Sequence, residues 1–422
     1  MARRILSCLI ALAFVLALTG SLSAAEPPQP PAPAAIDGLL PRAKSIAVGG
    51  SHTCAVTTGG GIQCWGYNGS NQLGDESSYW RDHPAWVSGL LGGVAAASAG
   101  NEHTCVLMDA AHAGGVRCWG ANYWGQLGDG TTSSSWTPVA VSEVANAAAV
   151  AAGGSHTCAI LPGGAIGCWG DNTYGQLGDG TTNSRSTPVP VSGLTHGVAA
   201  ASAGYDHTCA LMDAAHGGLV LCWGDNFRGQ LGDGTTLNSS TPVAVSGLVG
   251  AALTAGLAHT CALSNEGGVW CWGSNGLGQL GDGSTTDSSA PVAVSGLAGG
   301  VAAVAAGYYH TCAVMDAAHG GRVRCWGEGL WGQLGDGARH DSKTPVAVSG
   351  LTGAVAIAAG LGHTCAVTNA GGVWCWGDNG YGQLGLPIDA LTSSSTPVPV
   401  TGFQRGSVLF LPAIAVGSVS AG

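Results

Sequence analysis

The segment GGSHTCAILPGGAIGCWGDNTYGQLGDGTTNSRSTPVPV, residues 153–191, contains the motifs that decide the fold. His-Thr-Cys occurs seven times, from His52 to His363, at intervals of 51 to 53 residues, and each copy continues with Cys-Trp-Gly and Gln-Leu-Gly. Each copy has room for four short strands: an Ala/Val run such as Val301–Ala306, the His-Thr-Cys strand, the strand ending in Cys-Trp, and a Pro-Val strand. A period near 50 residues with several short strands is typical of β-propellers rather than helical solenoids. The sequence therefore predicts an all-β protein whose copies pack as four-stranded blades in a closed ring.

These motifs, Gly-x-x-His-Thr, Trp-Gly-x-Asn-x-x-Gly-Gln-Leu-Gly and Pro-x-x-Val, resemble the repeat of the regulator of chromosome condensation family over residues 44–403. The resemblance implies a seven-bladed β-propeller, here in a secreted, disulfide-rich version. It leaves the function open, because the family includes exchange factors for a nuclear GTPase, a plant ultraviolet-B photoreceptor and secreted bacterial inhibitors of β-lactamase. The photoreceptor carries Trp-Arg where this chain has Tyr308-Tyr309, and guanine nucleotide exchange follows from family resemblance alone.

The composition limits the possible partners. Of 422 residues, 45% are apolar and only 9% are charged, which argues against a disordered chain. Only 13 Lys and Arg stand against 24 Asp and Glu, so nucleic acid is not expected as a partner. No metal or other cofactor is expected either.

The N-terminus predicts export. A short basic start, an apolar run over residues 5–18 and small residues before Glu26 have the layout of a signal peptide at residues 1–25. The alternative is a membrane anchor, but this run is shorter than the roughly 20 residues of a spanning helix. A Pro/Ala-rich linker (26–43), the propeller (44–403) and a tail (404–422) follow; the tail is a partial repeat, a closing strand or an unpaired one. We expect a secreted, periplasmic or cell-surface protein without a membrane span after cleavage.

The cysteines provide a separate prediction. Removal of residues 1–25 leaves 14 cysteines, two in each copy, separated by 10 or 13 residues and placed on neighbouring strands. Facing residues of an antiparallel pair lie about 4.5–5.5 Å apart, within disulfide reach. Zinc sites instead favour cysteines two to four residues apart. The predicted disulfides join Cys54 with Cys64, Cys105 with Cys118, Cys158 with Cys168, Cys209 with Cys222, Cys261 with Cys271, Cys312 with Cys325, and Cys365 with Cys375.

Most repeated polar and aromatic residues are predicted to be scaffold. The seven histidines are interpreted as buried hydrogen-bonding groups that fix a turn, the alternative being a functional ring. The Cys-Trp-Gly tryptophans are expected in the core between blades. The Asp after Gln-Leu-Gly, as in Asp129, fits a turn closed by its own side chain, the alternative being a Ca²⁺ site.

Function is expected where the scaffold is constant and the sequence varies. Two pairs vary: the residues before His-Thr and the residues before Gly-Gln. In an antiparallel hairpin the start of one strand and the end of the next share an edge, so both pairs are predicted on one face of the ring. Tyr, Trp and Arg are enriched at binding hot spots. The candidate binding residues are Tyr123, Trp124, Tyr174, Tyr205, Phe227, Arg228, Tyr308, Tyr309, Trp331 and Tyr381; the alternative is that they merely cover loops.

The sequence thus predicts a non-catalytic interaction propeller that recognises a protein or a glycan through an aromatic-rich face. The competing class is a hydrolase or lyase using carboxylates on that face. Glu102 and Asp206, with Glu76 and Asp82, are the available carboxylates, but they lie in different copies without a recognisable catalytic spacing. No catalytic residue is assigned.

Overall fold

Each repeat forms one antiparallel blade, and the computed structural model describes residues 40–403 as seven such blades. The predicted signal peptide, most of the predicted linker and the tail lie outside the described residues. The first strand begins at Ala43. The all-β propeller with one disulfide per blade is therefore confirmed.

The four strands follow the order predicted from the motifs. Blade 1 contains β1 (Ala43–Val48), β2 (His52–Thr57), β3 (Ile62–Gly66) and β4 (Arg81–Trp86); blade 2 contains β5 (Val94–Ala99), β6 (His103–Met108), β7 (Val116–Gly120) and β8 (Ser135–Ala140); blade 3 contains β9 (Ala149–Ala152), β10 (His156–Ile160), β11 (Ile166–Gly170) and β12 (Arg185–Pro190); blade 4 contains β13 (Val198–Ala203), β14 (His207–Met212), β15 (Leu219–Gly224) and the first half of β16 (Ser239–Ala255); blade 5 contains the second half of β16, β17 (His259–Ser264), β18 (Val269–Gly273) and β19 (Ser288–Ala293); blade 6 contains β20 (Val301–Ala306), β21 (His310–Met315), β22 (Val323–Gly327) and β23 (Ser342–Ala347); blade 7 contains β24 (Ala354–Ala359), β25 (His363–Thr368), β26 (Val373–Asp378) and β27 (Ser393–Pro399). Short 3₁₀ helices lie in the turns between second and third strands, at Ala110–His112, Pro162–Gly164, Ala214–His216 and Ala317–His319.

Blades 4 and 5 share a strand, which the sequence did not indicate. β16 runs for 17 residues and joins the two blades into one seven-stranded sheet. Leu219, at the start of β15, pairs with Val249, and this additional pairing keeps the connection between the blades extended.

The disulfides join the second and third strands. In every blade of residues 40–403 the two cysteines face each other directly in the register, with Cα atoms 4.0–4.1 Å apart. The two turn lengths leave the pairing unchanged because the longer turns of blades 2, 4 and 6 form the 3₁₀ turns at Ala110–His112, Ala214–His216 and Ala317–His319, outside the ladder.

All seven predicted disulfides are confirmed, and no cysteine pairs outside its own blade within the described residues. The bonds are Cys54 with Cys64 in blade 1, Cys105 with Cys118 in blade 2, Cys158 with Cys168 in blade 3, Cys209 with Cys222 in blade 4, Cys261 with Cys271 in blade 5, Cys312 with Cys325 in blade 6, and Cys365 with Cys375 in blade 7. Each disulfide therefore fixes one hairpin and leaves the junctions between blades to other contacts.

The core lies between blades. Trp119 of blade 2 is fully buried against residues of blade 1 such as Ile62 and Leu73, and its Nε1 donates a hydrogen bond to the Gln72 carbonyl oxygen at 2.8 Å. The corresponding tryptophans of the other blades repeat this packing. The prediction of inter-blade tryptophans is confirmed, and burying such large rings stabilises each blade only when its neighbour is present.

The repeated histidines join neighbouring blades. His52 Nε2 lies 2.8 Å from Thr104 Oγ1 of the next blade, and this hydroxyl donates to the Gln72 carbonyl oxygen at 2.9 Å. Because the Thr104 hydroxyl gives its proton to the Gln72 carbonyl oxygen, its own oxygen must accept from His52. His52 Nε2 therefore carries the imidazole proton and donates it to Thr104 Oγ1. The prediction that these histidines are buried and hydrogen-bonded is confirmed. The prediction that their side chains fix a turn was wrong, because each side chain bonds to a threonine of another blade. His363 completes the cycle at Thr53, 2.9 Å away.

Ring closure uses the histidine and tryptophan hydrogen bonds that recur at the other blade junctions, together with a contact of Phe403. Within residues 40–403, blades 1 and 7 are each built from one continuous segment, and no strand crosses from one to the other. Trp65 Nε1 donates to the Gln383 carbonyl oxygen at 3.0 Å, and the Trp65 ring lies 6.0 Å from the Phe403 ring. Side-chain packing and hydrogen bonds therefore close the ring.

Candidate functional site

The two variable pairs of each repeat lie at one edge of the ring. His52, which begins a second strand, pairs with Gly66, which ends a third strand, and the Tyr67 N–H donates to the Ser51 carbonyl oxygen at 2.8 Å. We call this edge the loop face: it comprises the connections between first and second strands, the loops between third and fourth strands, and the start of the fourth strands. The opposite edge, with the remaining turns and connections, is the turn face.

Each loop between third and fourth strands is held by its own polar side chains. Asn122 Oδ1 accepts from the Leu127 N–H at 2.9 Å, and Gln126 Oε1 accepts from the Trp124 N–H at 3.0 Å. Asp129 Oδ1 accepts from the N–H and the hydroxyl of Thr131, both at 2.9 Å. The predicted Asp-closed turn is therefore confirmed, and the loop backbone is fixed without help from the variable side chains.

Seven of the ten candidate residues lie on these loops and form an outer set. Trp124 and Trp331 are 48% and 51% exposed, and Tyr123 reaches 73%. Some members contact one another or a neighbour, as Phe227 does with the ring of Tyr174 at 6.1 Å. The outer set is Tyr123, Trp124, Tyr174, Phe227, Arg228, Trp331 and Tyr381.

The other three candidates, Tyr205, Tyr308 and Tyr309, lie in the connections nearer the ring axis. The rings of Tyr205 and Tyr308 meet edge-on at 5.6 Å, and the Tyr308 hydroxyl donates to Asn101 Oδ1 at 2.7 Å. Burial raises the pKa of both phenols. Both rings line an axial depression of about 90 Å³. Tyr308 is thus engaged within the fold, and its hydroxyl is not a free donor.

Backbone contacts between neighbouring blades line the same depression as these tyrosines. A Cβ added to Gly100 would lie 2.4 Å from the Gly153 carbonyl oxygen, and the Asn101 N–H donates to that same oxygen at 3.2 Å. Only glycine allows neighbouring blades to approach so closely. The structure therefore offers a shallow axial depression at this position.

The residue after Cys-Trp-Gly is a carboxylate in four blades, and its role was not predicted from the sequence. Asp171 Oδ2 accepts from Gln176 Nε2 at 3.0 Å; the other three pairs are Asp225 with Gln230, Glu328 with Gln333 and Asp378 with Gln383. The recurrence of Asp or Glu at this position of the repeat is the sequence pattern from which this role could have been predicted.

Three of the four carboxylates considered from the sequence as catalytic candidates have different surroundings. Burial, followed by the neighbouring charges of Asp171 and Asp225, raises the pKa of Asp206 to about 7. Glu102 accepts from the Ser70 hydroxyl at 3.0 Å, whereas Asp82 lies 2.7 Å from the ring of His83. Glu102 and Asp82 each contact a neighbouring polar side chain, and no hydrogen bond joins two of the four carboxylates within residues 40–403.

Charge is divided unequally between the two faces. Of the 22 Asp and Glu within residues 40–403, 17 lie on the loop face, together with only five of the ten Lys and Arg. The turn face carries the other five carboxylates and the other five cations. The carboxylates of the turn face are Asp109, Glu143, Asp213, Glu266 and Asp316. The loop face is thus strongly acidic as well as aromatic.

Between residues 40 and 403, no three His, Cys, Asp or Glu side chains are arranged to hold a metal ion. The same part of the chain contains no helix with the length and hydropathy needed to cross a bilayer.

Comparison with known sequences identifies the repeat. Residues 146–421 match the RCC1-like domain, and residues 43–72 and 113–160 each match the regulator of chromosome condensation (RCC1) repeat. The ultraviolet-B receptor UVR8 of Arabidopsis thaliana is 29% identical over 343 residues, which are 79% of this chain and 75% of the receptor. The probable E3 ubiquitin-protein ligase HERC3 of Homo sapiens is 35% identical over 120 residues, 28% of this chain. The chain spans 11% of the length of HERC3.

A solved structure shows the same fold. Yeast RCC1 (Prp20), determined in complex with Kap60, has a TM-score of 0.71 at 19% identity, covering 86% of this chain and 85% of Prp20. The repeat motifs, the seven blades of residues 40–403 and the match over residues 146–421 together show that the chain belongs to the RCC1-like domain family.

Proposed function

We propose that this chain is a secreted, non-catalytic interaction module that binds a positively charged partner protein through its loop face. The observation that carries the proposal is the combination, on one face, of exposed aromatic rings and a large excess of carboxylates. The proposal narrows the protein or glycan expected from the sequence to a basic protein.

The aromatic rings suit binding because their backbone is already ordered. The Gln126 side chain fixes the loop beneath Trp124, and the Gln333 side chain does the same beneath Trp331, with N–H to Oε1 distances of 3.0 and 2.9 Å. Exposed Trp side chains are unfavourable in water unless a partner covers them. A rigid loop also loses little conformational entropy on binding.

The charge of the loop face selects the partner. Its 17 carboxylates face five cations, and three of those cations are already paired, Arg81 with Asp75, Arg185 with Asp179 and Arg228 with Asp287. Such a field attracts a cationic surface and accelerates its association at low ionic strength. It disfavours anionic glycans.

The disulfides and the loop carboxylates support the rest of the proposal. Seven disulfides within residues 40–403 suit an oxidising compartment, in agreement with the predicted signal peptide. Asp171, Asp225, Glu328 and Asp378 are hydrogen-bonded to loop glutamines, which supports a structural use of these carboxylates over general acid–base chemistry.

The test uses the mature chain, residues 26–422, against purified proteins of graded isoelectric point and an array of neutral and anionic glycans. We expect binding to basic proteins, with affinity that falls as salt rises, and a loss of at least about 2 kcal/mol when Trp124 and Trp331 are both replaced by Ala. Trp270→Ala is the matched control, because Trp270 is 36% exposed on β18 away from the loop face.

Stability separates a binding role from a scaffold role. The double variant should unfold within about 0.5 kcal/mol of the parent, since substitutions at exposed positions are usually that small. Glycan binding that is lost in the double variant, turnover of a bound ligand, or an unchanged affinity for basic proteins in the double variant would refute the proposal.

A further inference from the structure

A second cleft lies on the turn face of blade 6, away from the aromatic rings. It has a volume of about 550 Å³ and is lined by Met315, His319, Arg322, Arg324 and Thr352, with Ala318 and Gly320. Its cationic side chains stand out in a chain with 24 acidic and 13 basic residues.

The strand geometry places the two arginines side by side. Arg324 pairs with Ala313 on one side and Ala347 on the other, and Val323 between the arginines is buried. Arg322 comes directly before β22, and its carbonyl oxygen accepts from the Met315 N–H at 2.8 Å, so the pairing with the second strand continues to it. Alternate residues of such a paired segment project to the same side of the sheet, so the exposed Arg322 and Arg324 share that side.

Neither guanidinium has a partner within residues 40–403. No hydrogen bond or ion pair is formed by the side chain of Arg322 or Arg324, whereas Arg81, Arg185 and Arg228 all pair with carboxylates. Two like charges at neighbouring positions repel each other, and no carboxylate within residues 40–403 forms an ion pair with either arginine.

The carboxylate of the adjacent turn is already engaged. Asp316 Oδ1 lies 2.6 Å from His319 Nδ1 and accepts from the His319 N–H at 3.0 Å. This arrangement caps the 3₁₀ turn Ala317–His319 and holds the His319 ring, which lines the cleft and whose Nε2 forms no hydrogen bond within residues 40–403. Asp316 therefore serves the turn and orients the imidazole instead of neutralising the arginines.

We propose that this cleft binds a sulfate or phosphate ester group. A planar guanidinium presents paired N–H donors that match two oxygens of such an anion, and two guanidinium groups with an imidazole can satisfy a tetrahedral oxyanion from several directions. The volume of about 550 Å³ exceeds that of a free anion, so the group is expected as part of a larger molecule, such as a sulfated or phosphorylated sugar. This site is independent of the loop face.

Blade 2 contains a built-in control. Its turn has the same Asp109–His112 contact at 2.7 Å, and Arg117 occupies the register position of Arg324. Gly115 stands where blade 6 has Arg322, because the carbonyl oxygen of each accepts from the N–H of the methionine that ends the second strand. Blade 2 therefore has the turn and one arginine, but not the pair.

The experiment measures binding of the mature chain to a heparin hexasaccharide, to mannose 6-phosphate, and to an oligogalacturonate that carries carboxylates only. We expect binding of at least one ester and an affinity at least tenfold weaker in the Arg322→Gln/Arg324→Gln double variant. Arg117→Gln should change the affinity less than twofold. Comparison of the affinities for the heparin hexasaccharide and for mannose 6-phosphate shows whether the site binds a sulfate ester or a phosphate ester.

Further readouts keep the result interpretable. Both arginines are exposed, so thermal unfolding of the double variant should match the parent, and Trp124→Ala/Trp331→Ala should leave ester binding unchanged. Equal losses in the blade 2 and blade 6 variants would indicate non-specific attraction and overturn the proposal. Equal binding of the oligogalacturonate, or no binding of either ester, would overturn it as well.

Discussion

Acid should unfold this protein because of the histidines between its blades. Burial lowers the pKa of His52, His156, His207, His310 and His363 from 6.5 to about 3, and that of His103 and His259 to about 4. The folded state thus keeps these rings neutral at a pH where the unfolded chain protonates them. Their contribution to stability is complete above the unfolded pKa and is lost as the pH falls from 6.5 toward the folded values.

The magnitude follows from proton linkage. At pH 5 an unfolded histidine is almost fully protonated, whereas a buried one is neutral. This difference lowers the free energy of unfolding by roughly 2 kcal/mol for each buried histidine, or on the order of 10 kcal/mol for all seven. Asp206 opposes this, since its raised pKa of about 7 makes the folded state bind one proton more readily. The net loss is comparable with the whole stability of an ordinary domain, about 5–15 kcal/mol.

The assay counts protons. Guanidinium unfolding of the oxidised mature chain at pH 5 should take up about four to six protons: seven from the histidines, less one from Asp206 and up to one each from Asp225 and Glu328, whose pKa values burial also raises. His52→Gln should lower the uptake by about one, whereas His83→Gln, at the surface, is the matched control. An uptake of two protons or fewer, or equal effects of the two variants, would refute the reasoning.

Two further predictions concern the junctions between blades. Thr104→Val keeps the side-chain shape but leaves the His52 Nε2–H without its acceptor, so the free energy of unfolding should fall by about 1–3 kcal/mol in denaturant titrations at pH 8; a change below about 0.5 kcal/mol would contradict the inter-blade bond. Gly100→Ala brings a methyl group to 2.4 Å from the Gly153 carbonyl oxygen and should prevent ring closure, seen as loss of folded yield. Gly92→Ala, whose added Cβ would have its nearest neighbour at 3.9 Å, should express normally, and equal yields of both variants would argue against the close axial contact.

Much of the fold could be predicted from short-range patterns. The cysteine spacing of 10 or 13 residues identified the second and third strands and their register, because a hairpin brings near neighbours in sequence face to face. The same hairpin geometry placed the variable residues, Trp124 and Tyr205 among them, at one edge of the ring. A large tryptophan recurring on a strand likewise predicted burial between blades. All these inferences rest on residues less than one repeat apart.

The remaining features depend on how blades pack. The partner of His52 is Thr104, 52 residues away, and nothing in a single repeat shows that the bond crosses to the next blade. The partial burial of Tyr308 and the unpaired state of Arg322 also depend on which side chains the ring brings near them. Repetition along the chain determined the blades, the disulfides and the faces. The tertiary structure alone decided the bonds between blades and the local charge. These depend on distances between residues of different blades, and such distances cannot be read from the spacing of residues along the sequence.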